Sequence, residues 1–152
     1  MNLEKFTERS CGFLQAAQTI AARESHQRLS PEHLLKALMD DDQGFAANLI
    51  RSAGGAPDRV VEALDASLGK IPKNTGNTYE FYTDQTTVKV LDESEKIAKK
   101  AGDSFVPVER VLTALAVVKS KAKDALSAGA VTAQALNSAI NDVRKGLSLI
   151  HI

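Results

Sequence analysis

The chain carries almost no cysteine, no tryptophan and no excess of either charge. Its 152 residues include one cysteine, Cys11, so an internal disulfide is impossible and a reducing compartment is the expected setting. Lys and Arg number 19, as do Asp and Glu, and the formal net charge is zero. That balance removes the long-range pull on which nucleic-acid and membrane-surface binding usually depend, so neither is an expected partner. Aromatic residues are 5% of the chain, low for an all-β fold. No apolar run approaches the roughly 20 residues that cross a bilayer. Met1-Asn2-Leu3-Glu4-Lys5-Phe6 sets an acid and a base ahead of any apolar run, unlike a signal peptide. The expected location is the cytoplasm.

Motifs that carry chemistry are missing too. There is no G-x-x-x-x-G-K-[ST] phosphate loop and no CxxC pair. Three histidines, His26, His33 and His151, include no pair at the four-residue spacing of helical metal ligands. His33 falls in the first turn of a helix and reads as structural or solvated. Cys11 has no base or orienting group nearby and reads as a small buried residue. Asp40-Asp41-Asp42 lacks the spacing of a calcium loop and reads as a solvated helix start. An aromatic cluster at Tyr79, Phe81 and Tyr82 lacks the basic flanks of a single-strand stacking platform. No enzyme activity, metal or cofactor is expected of this chain. A helical binding module remains.

What is present is helical punctuation. Hydrophobic residues are 43% and charged residues 25%, the mix of an ordinary globular protein. Phe6, Phe13, Ala17 and Ile20 mark one face of a helix over about residues 7–27. Ser30-Pro31-Glu32 starts a second helix: a cap, a proline whose missing N–H costs nothing, and an acid at the positive dipole end. Leu34, Leu35 and Leu38 are its buried face. A third helix spans about residues 45–52 and stops at Gly54-Gly55; a fourth starts at Pro57-Asp58. Residues 70–84 break the pattern and predict a linker.

The second half then repeats the first. Glu32-His33-Leu34-Leu35-Lys36-Ala37-Leu38 matches Glu109-Arg110-Val111-Leu112-Thr113-Ala114-Leu115 at an offset of 77. The same offset sets Phe13, Ala17 and Ile20 on Val90, Ser94 and Ile97. Ser52-Ala53-Gly54 recurs as Ser127-Ala128-Gly129 at 75. Further helices are predicted over residues 86–101, 107–118, 122–128 and 132–144. The expected fold is all-α: a pseudo-twofold duplication of a four-helix repeat, eight helices in one domain over residues 1–146. Repeat one covers about 1–69, the linker 70–84 and repeat two 85–146.

The doubled pattern resembles the amino-terminal domain of the Clp ATPases. It is carried by Pro31-Glu32-His33-Leu34-Leu35-Lys36-Ala37-Leu38 and by Gly102-Asp103-Ser104-Phe105-Val106 leading to Glu109. Thr7, Leu68-Gly69-Lys70-Ile71-Pro72 and Gly129-Ala130-Val131-Thr132 resemble the ClpB disaggregase branch. The ClpA and ClpC branches share the fold and dock adaptors there, which leaves an adaptor-docking alternative open. The resemblance implies a substrate-recognition module that binds exposed apolar segments of unfolded or aggregated polypeptides and passes them to a hexameric ATPase pore outside this chain. It implies a homohexameric parent that works with the DnaK chaperone system, with ATP and Mg held in the parent's ATPase domains, and a monomeric isolated domain. It implies substrate contact at Thr7, Asp103 and Glu109, and at the apolar candidates Leu91, Phe105, Val108 and Val111. For each polar candidate a purely structural role stays open: a cap for Thr7, a loop contact for Asp103, the helix dipole for Glu109. Arg110 stands where an apolar groove residue is expected and predicts a narrower or more polar groove. Residues 147–152 depart from the family and resemble the translated end of a transposase sequencing adapter, which implies a foreign tail; a native apolar tail is the alternative.

Overall fold

A computed structural model describes residues 3–73 and 81–150, with side chains through Arg144. Among the described residues there are eight helices: α1 (Glu8–Arg23), α2 (Pro31–Met39), α3 (Phe45–Ser52), α4 (Pro57–Gly69), α5 (Gln85–Lys100), α6 (Val108–Val117), α7 (Lys121–Ala128) and α8 (Ala133–Ile150). Two strands of two residues, β1 (Arg28–Leu29) and β2 (Tyr82–Thr83), pair in parallel. The fold is all-α, as expected. Tyr79 and most of the linker's turn-forming run, residues 74–80, lie outside the described residues, as does His151.

The first helix ends four residues early, at Arg23 rather than near 27. Ser25 takes a left-handed backbone (φ 58°), and Tyr82 N–H donates to Gln27 O at 3.1 Å. The left-handed turn at Ser25 therefore ends the helix, and Gln27 O is drawn to the strand pair instead. At the other end, α8 runs on to Ile150, past the expected stop at Arg144 and into the segment set apart as a tail. Nothing there opposes helix except Gly146, at a cost of about 1 kcal/mol.

The two repeats are stitched crosswise. Thr7 Oγ1 accepts from Ser10 N–H (3.1 Å) and caps α1; Asp84 accepts from Thr86 N–H (2.9 Å) and caps α5. Thr7 N–H donates to Val106 O (3.1 Å), and Asp84 N–H donates to Leu29 O (3.0 Å). The buried hydroxyls follow the same rule, Ser10 Oγ to Val106 O (2.9 Å) and Thr87 Oγ1 to Leu29 O (2.8 Å). Phe6 bridges Val106 as Thr83 pairs Leu29. Every member of these pairs lies 77 residues from its counterpart, except the capped N–H groups of Ser10 and Thr86, which lie 76 apart. Each repeat thus satisfies the buried carbonyl ahead of the other's second helix, a group that would cost energy if left unpaired.

The later helices keep an offset of 76 rather than 75: α3 and α7 match end to end, as do the starts of α4 and α8. The shared Ser-Ala-Gly is one residue out of structural register. After α3 the left-handed residue is Gly54 (φ 86°); after α7 it is Ala130 (φ 62°). Gly129 instead lies against α4, where a Cβ would fall 2.3 Å from Val60 Cγ2 and 2.8 Å from Ala56 O. The glycine has moved to the position of closest backbone approach, and Ala130 bears the strained one.

Candidate functional site

α5 ends at Lys100, and Gly102 (φ 84°) turns the chain back so that Asp103 N–H reaches Ala98 O at 2.8 Å. Val106 then lies along residues 5–6, donating to Lys5 O at 2.7 Å. Neighbouring residues of extended chain face opposite ways. With Val106 buried, Phe105 points out and is 55% exposed. It stands at the lip of a groove of about 540 Å³. Asp92, Glu95, Lys96 and Lys99 of α5 line one side; Lys5, Asp103 and Ser104 line the other. Three acids and three lysines leave the walls without net charge.

Asp103 is the most heavily bonded of the candidates. Arg110 Nε donates to its carboxylate at 2.9 Å, and Arg144 donates with Nη1 at 2.9 Å and Nη2 at 3.3 Å. Arg144 also stands 3.6 Å from Glu109. Burial pushes the Asp103 carboxyl upward, but the hydrogen bonds from Arg144 and Arg110 outweigh it and hold the pKa below the ordinary value. Two carboxylates and two guanidiniums form one neutral cluster.

Arg110 does not enter the groove. Its side chain is buried, spent on Asp103 and on Asn137 Oδ1 of α8 at 3.2 Å. The expectation that it makes the groove narrower or more polar is corrected: it ties α6 to the 103–106 loop and to α8.

The apolar candidates divide. Phe105 is exposed, whereas Leu91, Val108 and Val111 are core residues. Val108 and Val111 face Leu14, Leu34 and Leu38 across a gap of only about 10 Å³, too small for a ligand. The resemblance named all four, but it could not say which of them the packing of the helices covers. Thr7 sits beside Val106 through its backbone, and its hydroxyl caps α1. Thr7, Asp103, Phe105 and Glu109 are therefore gathered at one end of the fold. Arg144 and the α5 charges are functional candidates that sequence reasoning missed. No local motif marks them, because they meet the site only through tertiary packing.

The pseudo-twofold counterpart of Asp103–Arg110 is His26–His33. Both rings are buried, and His26 Nδ1 lies 2.8 Å from His33 Nε2. Ser30 N–H donates to His33 Nδ1 at 3.0 Å. His33 therefore carries its proton on Nε2 and donates to His26, which carries its own on Nε2. That last atom is buried with no hydrogen-bond partner among the described residues. Burial above all holds both pKa values down, that of His33 to about 4. His33 is structural, one of the two roles left open for it. Among the described residues no group of three His, Cys, Asp or Glu side chains converges to hold a metal, and no helix is long and apolar enough to cross a membrane.

Known proteins share the sequence pattern and the fold of this chain. The Clp repeat (R) N-terminal domain family matches residues 5–129. A chaperone protein ClpB of Mesorhizobium japonicum is 52% identical over 147 residues, 96% of this chain and 17% of that protein. A ClpB of Rickettsia felis is 34% identical over 147 residues, again 96% and 17%. The chain thus spans about a sixth of the length of these relatives. Among solved structures, the Hsp104 N-terminal domain from Candida albicans superposes with a TM-score of 0.80 at 21% identity, covering 93% of this chain and 92% of that one. The N-terminal domain of ClpD from Arabidopsis thaliana gives 0.68 at 19%, covering 95% and 97%. At these identities the two structures share the fold alone.

Proposed function

Because the chain belongs to the Clp repeat N-terminal domain family, we propose that it is a substrate-recognition module that captures exposed apolar segments of unfolded or aggregated polypeptides. The similarity to ClpB chaperones sets the context. In that context the captured segment passes to an ATP-driven hexameric pore carried by other domains, which hold ATP and Mg, and the parent works with the DnaK system. The module itself hydrolyses nothing.

One observation carries the reading. Phe105 is a large apolar side chain held in solvent at the edge of a groove, beside paired carboxylates. An apolar residue of a client covers Phe105, while Asp103 and Glu109 receive cationic or N–H groups of an extended chain. The groove is small and its walls are charged, so little area is desolvated and capture is weak and reversible, which suits a segment that must be released onward.

Glu109→Ala tests the polar half. Among the described residues its one ion pair is long, 3.6 Å to an Arg144 that is itself 37% exposed. Such a pair contributes about 0–1 kcal/mol. The variant should keep its melting temperature within a few degrees and bind an unfolded model protein several-fold more weakly, measured by fluorescence anisotropy. Intact binding together with a collapse in stability would make Glu109 structural.

A further inference from the structure

Arg144 holds the site carboxylates in the way an incoming arginine would. It grips Asp103 with both terminal nitrogens and reaches Glu109. Its exposure differs sharply from that of Arg110: 37% against 1%. Arg110 is locked by Asp103 and Asn137 and cannot leave without stranding a buried charge. Arg144 can swing into water, and Asp103 would still keep Arg110.

Repeat one indicates that the fold does not require this clamp. There the counterpart of Glu109 is Glu32, and the last helix of that repeat offers it only a hydroxyl, Ser67 Oγ at 3.5 Å. α4 supplies no cation at that place, yet Glu32 is buried and the repeat is formed. A guanidinium supplied by the last helix is specific to repeat two; in repeat one the guanidinium that acts on Glu32 is that of Arg28, from β1.

Asp103 stands between two hollows. On one side is the Phe105 groove. On the other is a polar hollow of about 410 Å³ lined by Lys100, Asn137, Asn141 and Arg144 itself. A peptide lying on Phe105 can therefore reach over Asp103 with a long cationic side chain, into the place that Arg144 now fills.

We infer that Arg144 is an internal competitor for the cationic side chain of a client, and that the site favours apolar segments bearing Arg or Lys once Arg144 is displaced. This rests on the reading of the Phe105 end as the capture site. With Arg144 in place the cluster is neutral and rewards no cation. With Arg144 out, one net negative charge faces the client. Arg144 thereby sets the threshold at which a positively charged segment is preferred to a neutral one.

The test uses two labelled apolar peptides that differ only in a central Arg or Gln, titrated with the 152-residue chain. Arg144→Ala should bind the Arg peptide roughly fivefold or more tightly than wild type, the worth of about one freed charge-assisted hydrogen bond. The Gln peptide should be unchanged. Arg144→Lys should return binding of the Arg peptide toward wild type. Arg144→Gln repeats the comparison should the alanine variant fold poorly. An equal gain for both peptides, or no gain for the Arg peptide, would overturn the competitor role while leaving capture intact. If the Gln peptide fails to bind the wild-type chain, the capture reading itself fails, and this inference goes with it.

Discussion

Gly129→Ala should lower stability by about 3 kcal/mol, the upper range for overpacking a core. The added Cβ would sit 2.3 Å from Val60 Cγ2 and 2.8 Å from Ala56 O. Neither neighbour can yield easily. Val60 is fully buried, and Ala56 O belongs to the start of α4, where it accepts from Arg59 and Val60 N–H. Gly129 O also accepts from Ala56 N–H at 2.8 Å, so a forced separation breaks a second contact. Thermal unfolding should show a fall of roughly 10 °C. Gly54→Ala is the contrast. A Cβ there meets nothing within 4 Å, and the only cost is the left-handed backbone, about 1–2 kcal/mol. Equal losses in the two variants would refute close packing of α4 on α7 as the reason for glycine at 129.

Acid should weaken the fold before it weakens the carboxylate cluster. His33 has an ordinary pKa of 6.5 unfolded and about 4 when buried. Between those values the unfolded chain binds more protons than the native one, so stability rises with pH and falls as pH drops from 6.5 toward 4. His33 alone accounts for a loss of about 3 kcal/mol across that window. The geometry gives the cause. A second proton on His33 would point Nδ1–H at the Ser30 N–H, and one on His26 would point Nδ1–H at His33 Nε2–H. Arg28 and Lys73 disfavour charge on His26, whereas Glu24 favours it. Glu32 works the other way: burial raises its pKa, so its protonation favours the native state as pH falls, a partial offset. Asp103 has a lowered pKa, and its contribution is lost only below its ordinary 3.8. Denaturant melts at pH 7 and pH 4.5 should differ accordingly. The double variant His26→Asp, His33→Arg copies the pair that repeat two uses and should flatten the profile above pH 4. A wild-type profile already flat over that range would contradict the neutral histidine pair.

Much of this is legible in the sequence. Ser30-Pro31-Glu32 and Pro57-Asp58 mark helix starts whose chemistry is local, and the offset of 77 exposed the duplication. The crosswise stitching was not. Its strands are two residues long, too short for an alternating pattern to show. The Ser-Ala-Gly repeat misled by one residue, because Gly129 is there for contact with α4 and Gly54 for its backbone angle. Arg110 looked like groove chemistry because no local motif marks its partners, Asp103 seven residues before it and Asn137 27 after it. Periodicity assigns a face, not what covers it. Leu91, Val108 and Val111 are covered; Phe105 is exposed only because Val106 is pinned against Phe6.

Capture at the Phe105 end is most directly tested by binding of an unfolded model protein to the wild-type chain and to Phe105→Ala. Phe105 is 55% exposed, so the substitution should leave the melting temperature unchanged. The expected result is measurable binding by the wild type, weakened roughly tenfold in the variant, as for loss of an aromatic anchor. Binding of a folded adaptor but of no unfolded protein would contradict the account, as would unfolded-protein binding indifferent to Phe105.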